Sequence, residues 1–120
     1  MKFSGAVPVL RMYDEDAARE FYVDQLEFTV VFEHRFEPAL PLYMRIQRDE
    51  LTLDLSEHVG DGIPGSVVWT PVTDVGALRQ ELAKAILPDV PPEIDTEAPG
   101  GPTLTLTDPF SNQLRFCEAD

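Results

Sequence analysis

Thr103-Leu-Thr-Leu-Thr-Asp-Pro-Phe-Ser-Asn-Gln-Leu-Arg-Phe-Cys-Glu118 reads as a β-hairpin. Leu104 and Leu106 alternate with Thr103, Thr105 and Thr107, and Leu114 and Phe116 alternate with Gln113, Arg115 and Cys117. A period of two marks strands with one apolar and one polar face. Between them Asp108-Pro-Phe-Ser-Asn112 has turn chemistry: Pro109 presets φ, and Asp108 and Asn112 are able to bond nearby backbone. The same pattern occurs earlier. Leu42, Met44 and Ile46 alternate with Tyr43, Arg45 and Gln47, Arg48-Asp-Glu50 turns the chain, and Leu51, Leu53 and Leu55 alternate with Thr52, Asp54 and Ser56.

Other elements fit around these two hairpins. Gly5 to Met12 is extended, with Val7, Val9 and Arg11 on one face and Ala6, Leu10 and Met12 on the other; Pro8 cannot donate to a ladder, so the strand belongs at an edge. Asp14 caps a helix whose apolar side is Ala17, Ala18, Phe21, Tyr22 and Leu26. Phe28 to Phe36 is β-branched and aromatic, a strand, and Glu37-Pro-Ala-Leu-Pro41 is a loop. Gly60-Asp-Gly-Ile-Pro-Gly65 is a turn-rich loop. Ser66 to Thr73 is a strand, and Asp74 caps a second helix with the stripe Val75, Leu78, Leu82 and Ile86. Leu87 to Pro102 is a proline-rich, acidic loop that holds at most one short strand, Glu93 to Thr96.

The order strand, helix, strand, hairpin therefore occurs twice. Asp14 and Asp74 cap equivalent helices, and Asp54 and Arg115 sit at equivalent places in the two hairpins. The fold class is α+β: two tandem βαβββ modules forming a curved mixed sheet with a concave cleft, in one domain over residues 1–120, module one being 1–62 and module two 63–120. The apolar faces turn toward the helices. If the polar faces meet, they enclose a polar cleft; an antiparallel sheet with one wet face is the ordinary alternative.

Composition narrows the partners. With 43% hydrophobic residues the chain is not disordered, and a net charge of −13 argues against nucleic acid and anionic membrane while favouring the approach of a cation. The single cysteine, Cys117, excludes an internal disulfide and fits a reducing cytoplasm. Met1 to Leu10 has no signal-peptide core, and no apolar run is long enough to span a bilayer.

Paired βαβββ modules resemble the glyoxalase, bleomycin-resistance and extradiol-dioxygenase superfamily, also called vicinal oxygen chelate. The matching motifs are Ala6-Val-Pro-Val-Leu10, Arg19-Glu-Phe-Tyr22, Leu26-Glu-Phe28 and Thr107-Asp-Pro-Phe-Ser-Asn112. The stretches His34-Arg-Phe-Glu-Pro38, Leu42-Tyr-Met44 and Leu55-Ser-Glu-His58 look like the bleomycin-resistance or small glyoxalase-like branch. The superfamily holds both enzymes and binders, so the fold does not decide the activity.

The resemblance implies that metal-dependent members place a His or Glu on the first strand of each module and a Glu on the last. The corresponding positions here read as Val7, Val68, Asp54 and Arg115. Valine has no donor atom and arginine is a fixed cation, so only Asp54 is a possible ligand, short of the usual three. His34 and His58 lie off the motif. Ser56 has no visible His-Asp arrangement and Cys117 no activating partner. The expectation is therefore no metal, no cofactor and no catalytic residue, with ligand-binding residues His34, Phe36, Tyr43, Arg45, Asp54, Ser56, His58 and Arg115. Phe36, Tyr43, Trp69 and Phe110 are candidates for stacking, and Asp54 is expected to pair with Arg115 across the cleft.

What the resemblance implies is a homodimeric antibiotic-binding protein of the bleomycin-resistance type, taking a planar ligand such as a cationic glycopeptide antibiotic; Arg45 and Arg115 weigh against a uniformly anionic pocket and leave an anionic ligand open. The alternatives are a metal-dependent glyoxalase- or dioxygenase-like lyase, isomerase or oxidoreductase, and an interaction module with no small-molecule role.

Overall fold

The computed structural model describes residues 1–85 and 89–119. The first module runs β1 (Val9–Arg11), α1 (Glu15–Ala18) continuing as a π-helix (Arg19–Gln25), β2 (Thr29–His34), β3 (Tyr43–Arg48) and β4 (Leu51–Ser56). The second runs β5 (Val67–Pro71), α2 (Val75–Ala85), β6 (Thr103–Thr107) and β7 (Gln113–Cys117). Two mixed sheets result, a four-stranded one in the order β1-β4-β3-β2 and a three-stranded one in the order β5-β7-β6. In each module the first strand runs parallel to the last, and the hairpin is antiparallel. Among the described residues no helix is long and apolar enough to cross a membrane.

The duplicated order is thus present, and module two is its shortened copy. The strand expected at Glu93 to Thr96 is a single bridge, Asp95 to Thr103. Just before it stand Pro91 and Pro92, which have no N–H to give a ladder, so pairing does not extend in that direction. Their carbonyls turn instead to α2, where Arg79 donates to Pro92 O at 2.9 Å and Pro91 O at 3.2 Å. Ile86, expected on the second helix's apolar stripe, lies outside the described residues.

Both helices start where the aspartates stand. The Asp14 carboxylate accepts from Ala17 N at 3.2 Å and that of Asp74 from Ala77 N at 2.9 Å, each meeting a donor that a helix start leaves unpaired. The first helix departs from the expected winding. Leu26 N donates to Phe21 O, five residues back, at 3.1 Å. The wider turn brings residues four apart nearer to one line, and Ala18, Tyr22 and Leu26 are all buried. They pack with Leu10, Met12, Met44, Ile46, Leu53 and Leu55 of sheet one and Leu104, Leu114 and Phe116 of sheet two in one core.

A buried carboxylate joins the modules. Asp108 Oδ1 accepts from Phe110 N and Asn112 N, both at 2.8 Å, which forms the hairpin turn. Its Oδ2 accepts from Asn112 Nδ2 at 2.9 Å and from Tyr22 Oη at 2.6 Å. Asn112 Nδ2 also donates to Arg11 O, at 2.9 Å. The turn of module two is thereby bonded to the helix and first strand of module one. Burial first, and then the Asp108 charge, push the Tyr22 phenol well above its ordinary range.

Candidate functional site

The outer face of sheet one is built by register. Tyr43 lies opposite Ser56 and Arg45 opposite Asp54 in the β3–β4 hairpin. Parallel β1 places Val9 beside Asp54 and Arg11 beside Ser56. A bulge at Val31 decides what β2 adds. Val30 is opposite Ile46 on the core side, but Phe32, not Val31, is opposite Arg45. The extra residue reverses the alternation and sends Phe32 outward, with His34 following opposite Tyr43. Phe32 is missing from the expected site, because three consecutive apolar residues, Val30-Val31-Phe32, give no sign of the bulge.

Asp54 is the centre of this face. It is 2% exposed, although it lies on the polar side. Arg45 grips it with two bonds, Nε to Oδ1 at 2.7 Å and Nη2 to Oδ2 at 3.0 Å. Tyr43 donates its hydroxyl to the same carboxylate. Burial and that hydrogen bond push the Tyr43 phenol up to about 12. The hydrogen bond to Asp54 raises the Arg45 guanidinium further above its ordinary value. Phe32 stacks on Tyr43, with centroids 6.3 Å apart and an interplanar angle of 10°. The Arg45 guanidinium carbon stands 5.1 Å from the Phe32 centroid.

A second aromatic group continues from the first. Phe36 meets His34 edge-on at 4.7 Å and His58 at 6.3 Å, and it is 72% exposed. Ser56 Oγ donates to Asp61 Oδ2 at 2.9 Å and accepts from His58 N at 3.1 Å, which ties the following loop to the sheet. Gly62 in that loop, at φ +72°, lies so close to β1 that a Cβ there would stand 2.9 Å from Val9 O. The expected residues His34, Phe36, Tyr43, Arg45, Asp54, Ser56 and His58 thus belong to one face and its edge.

Arg115 lies on the other sheet, and its expected partnership is corrected. Asp54 pairs with Arg45, which lies opposite it across the hairpin, whereas Arg115 reaches only Gln113 Oε1, at 3.5 Å. Two further expectations change. Val68 is a core residue opposite Leu114, so Val67 and Trp69 hold the outer positions of β5, with Trp69 opposite Arg115 and 49% exposed. Phe110 is buried in the core rather than free to stack with a ligand.

The residues do not fit the metal site that the superfamily's enzymes imply. Val7 has no donor atom, nor does Val68 or either of its outward neighbours, Val67 and Trp69. Arg115 repels a cation, and both oxygens of Asp54 are taken by Arg45 and Tyr43. Among the described residues no three His, Cys, Asp or Glu side chains converge. Cys117 is buried, its Sγ 3.6 Å from Gly101 O. In a single chain each outer face keeps exposed apolar side chains, Phe32 and Val9 on the first sheet and Trp69 and Val67 on the second, while Asp54, Ser56, Thr103 and Cys117 are buried.

The comparisons with known proteins agree with this architecture. A family model described as glyoxalase superfamily protein matches residues 1–120. A comparison with curated protein sequences gives no significant match. Among solved structures, the bleomycin-binding protein of bleomycin-producing Streptomyces verticillus, complexed with copper(II)-bleomycin, is 30% identical with a TM-score of 0.74, over 100% of this chain and 99% of that one. A bleomycin resistance determinant encoded on the transposon Tn5 is 21% identical with a TM-score of 0.74, over 98% and 99%. A glyoxalase family protein from Enterococcus faecalis is 13% identical with a TM-score of 0.70, over 92% and 93%. Duplicated modules, one shared core and a match along the whole chain lead to one assignment: this protein belongs to the glyoxalase superfamily, in its bleomycin-resistance-like branch.

Proposed function

We propose that this protein sequesters a planar small molecule, in the manner of an antibiotic-binding protein of the bleomycin-resistance type, and does not transform it. The observation that carries the reading is the exposed aromatic surface of the outer faces: the Phe32–Tyr43 stack, Phe36 between two histidines, and Trp69 on the second sheet. Solvent-facing rings without a covering element are poised for stacking. Two open faces on one chain are completed by a second copy, so the working form is a homodimer with ligand held between chains. A stable pair buries roughly 1,200 Å² or more. The donor set described above supports binding without Lewis-acid chemistry. The single buried cysteine, Cys117, supports a place in the reducing cytoplasm.

Trp69 is the only tryptophan of the chain and reports on its own face. Titration with copper(II)-bleomycin and a panel of planar aromatic compounds should change its fluorescence saturably, with the compound recovered unaltered. Light scattering at micromolar concentration should give the dimer mass. A monomer that shows no saturable binding, or turnover of a compound on adding a divalent metal, sinks the proposal.

A further inference from the structure

We infer that the molecule held on these faces carries an anionic group beside its ring system, and that Arg115 and Arg11 receive it. This rests on the sequestering reading above and narrows its ligand.

A chain with 22 acidic and 9 basic residues has carboxylates enough for every arginine. Five of the seven arginines take one: Arg19 with Glu15 and Glu33, Arg35 with Glu15, Arg45 with Asp54, Arg48 with Glu81 and Arg79 with Glu93. Among the described residues Arg11 and Arg115 have none. Both lie on outer faces, Arg11 opposite Ser56 and Arg115 opposite Trp69. Arg11 Nη1 is shut off from solvent and has no hydrogen-bond partner, while its guanidinium carbon stands 4.9 Å from the Tyr13 ring centroid. Arg115 is exposed and holds only the long contact to Gln113. A guanidinium offers five N–H donors, so both have donors to spare.

The local charge of these faces is opposite in sign to that of the chain. Of the strand residues on the outer faces only Asp54 is a carboxylate, and Asp61 joins it from the loop. Asp54 is already bound through both oxygens. Against these two carboxylates stand three guanidiniums, those of Arg11, Arg45 and Arg115. Among the described strand residues of these faces a cation meets no open carboxylate, and from the loop it meets Asp61, which already accepts from Ser56 Oγ. A carboxylate, sulfonate or phosphonate meets unoccupied forks of the matching geometry. The net charge of −13 acts on approach from a distance, whereas the contacts in the site decide the bound state.

The test is titration calorimetry of the full chain with three probes sharing one ring: anionic 2-naphthoate, cationic 2-naphthylmethylammonium and uncharged 2-naphthamide. Naphthoate should bind about tenfold tighter than the cation or better, as expected for a hydrogen bond to a charged group, and should weaken with salt. Arg115→Gln and Arg11→Gln should each lower naphthoate affinity several-fold and leave naphthamide unchanged. Arg115 is exposed, so its variant folds and decides the matter alone if the Arg11 variant does not. Equal or tighter binding of the cation, or unchanged naphthoate affinity in the variants, overturns the inference; if naphthamide still binds saturably, the sequestering reading survives. Failure of all three probes and of copper(II)-bleomycin removes both.

Discussion

Removing the Asp108 carboxylate should take away a large share of the protein's stability. In Asp108→Ala four donors lose their acceptor: Phe110 N, Asn112 N, Asn112 Nδ2 and Tyr22 Oη, the last three bonded at 2.8, 2.9 and 2.6 Å. Asp108 and Asn112 are buried, so water replaces few of these bonds. At the low end of about 1 kcal/mol for each orphaned buried donor, the loss is about 4 kcal/mol. A domain of this size has roughly 5–15 kcal/mol in all. Urea unfolding followed by circular dichroism reads the change: with a slope of about 2 kcal/mol per molar, the midpoint should fall by about 2 M. Tyr22→Phe removes one donor of the four and should cost only about 1–2 kcal/mol. Because Tyr22 belongs to module one and Asp108 to module two, the double variant should show coupling of at least about 1 kcal/mol. A loss below about 1 kcal/mol in Asp108→Ala, or additive effects in the double variant, would refute the claim that this carboxylate joins the modules.

Three further outcomes are expected. In double-mutant cycles Asp54→Ala should couple with Arg45→Ala well beyond experimental error and not at all with Arg115→Ala; coupling to Arg115 instead would contradict the register described here. Gly101→Ala should lower the melting temperature more than Gly65→Ala: both positions have positive φ, but at Gly101 a Cβ would stand 2.4 Å from Glu118 O and at Gly65 it meets nothing within 4 Å. Equal effects would mean that the contact with Glu118 yields freely. Stability should fall as pH rises above about 10, since an unfolded tyrosine releases its proton there while Tyr22, its pKa raised in the fold, keeps it. Each such group contributes about 1.4 kcal/mol per pH unit; Tyr43, raised to about 12, adds its own share, so Tyr22→Phe should make the slope shallower by one group's worth, and an unchanged slope in that variant assigns the alkaline loss elsewhere.

What the sequence alone determined are the features set by a few adjacent residues. Alternation in Leu51–Leu55 and Thr103–Thr107 decides which side chains share a face, because side-chain direction in a strand has a period of two. Asp14 and Asp74 announce helix starts because the cap bonds reach only three residues ahead. The turn at Asp108 to Asn112 is likewise local, and so is the repeat assembled from these pieces. Tertiary structure decided whatever depends on which strand lies beside which. Asp54 takes Arg45 as its partner because an antiparallel hairpin sets them side by side, whereas Arg115 sits in another sheet. Val68 turned inward because its outer or inner facing depends on register with β7, which the composition of Val67-Val68 does not reveal. Phe32 reached the site through a bulge, and the strand expected at Glu93 to Thr96 is one bridge, with Arg79 of a helix holding the carbonyls of Pro91 and Pro92 just before it. Each of these is a competition between partners distant in the chain, and only the folded arrangement shows which partner wins.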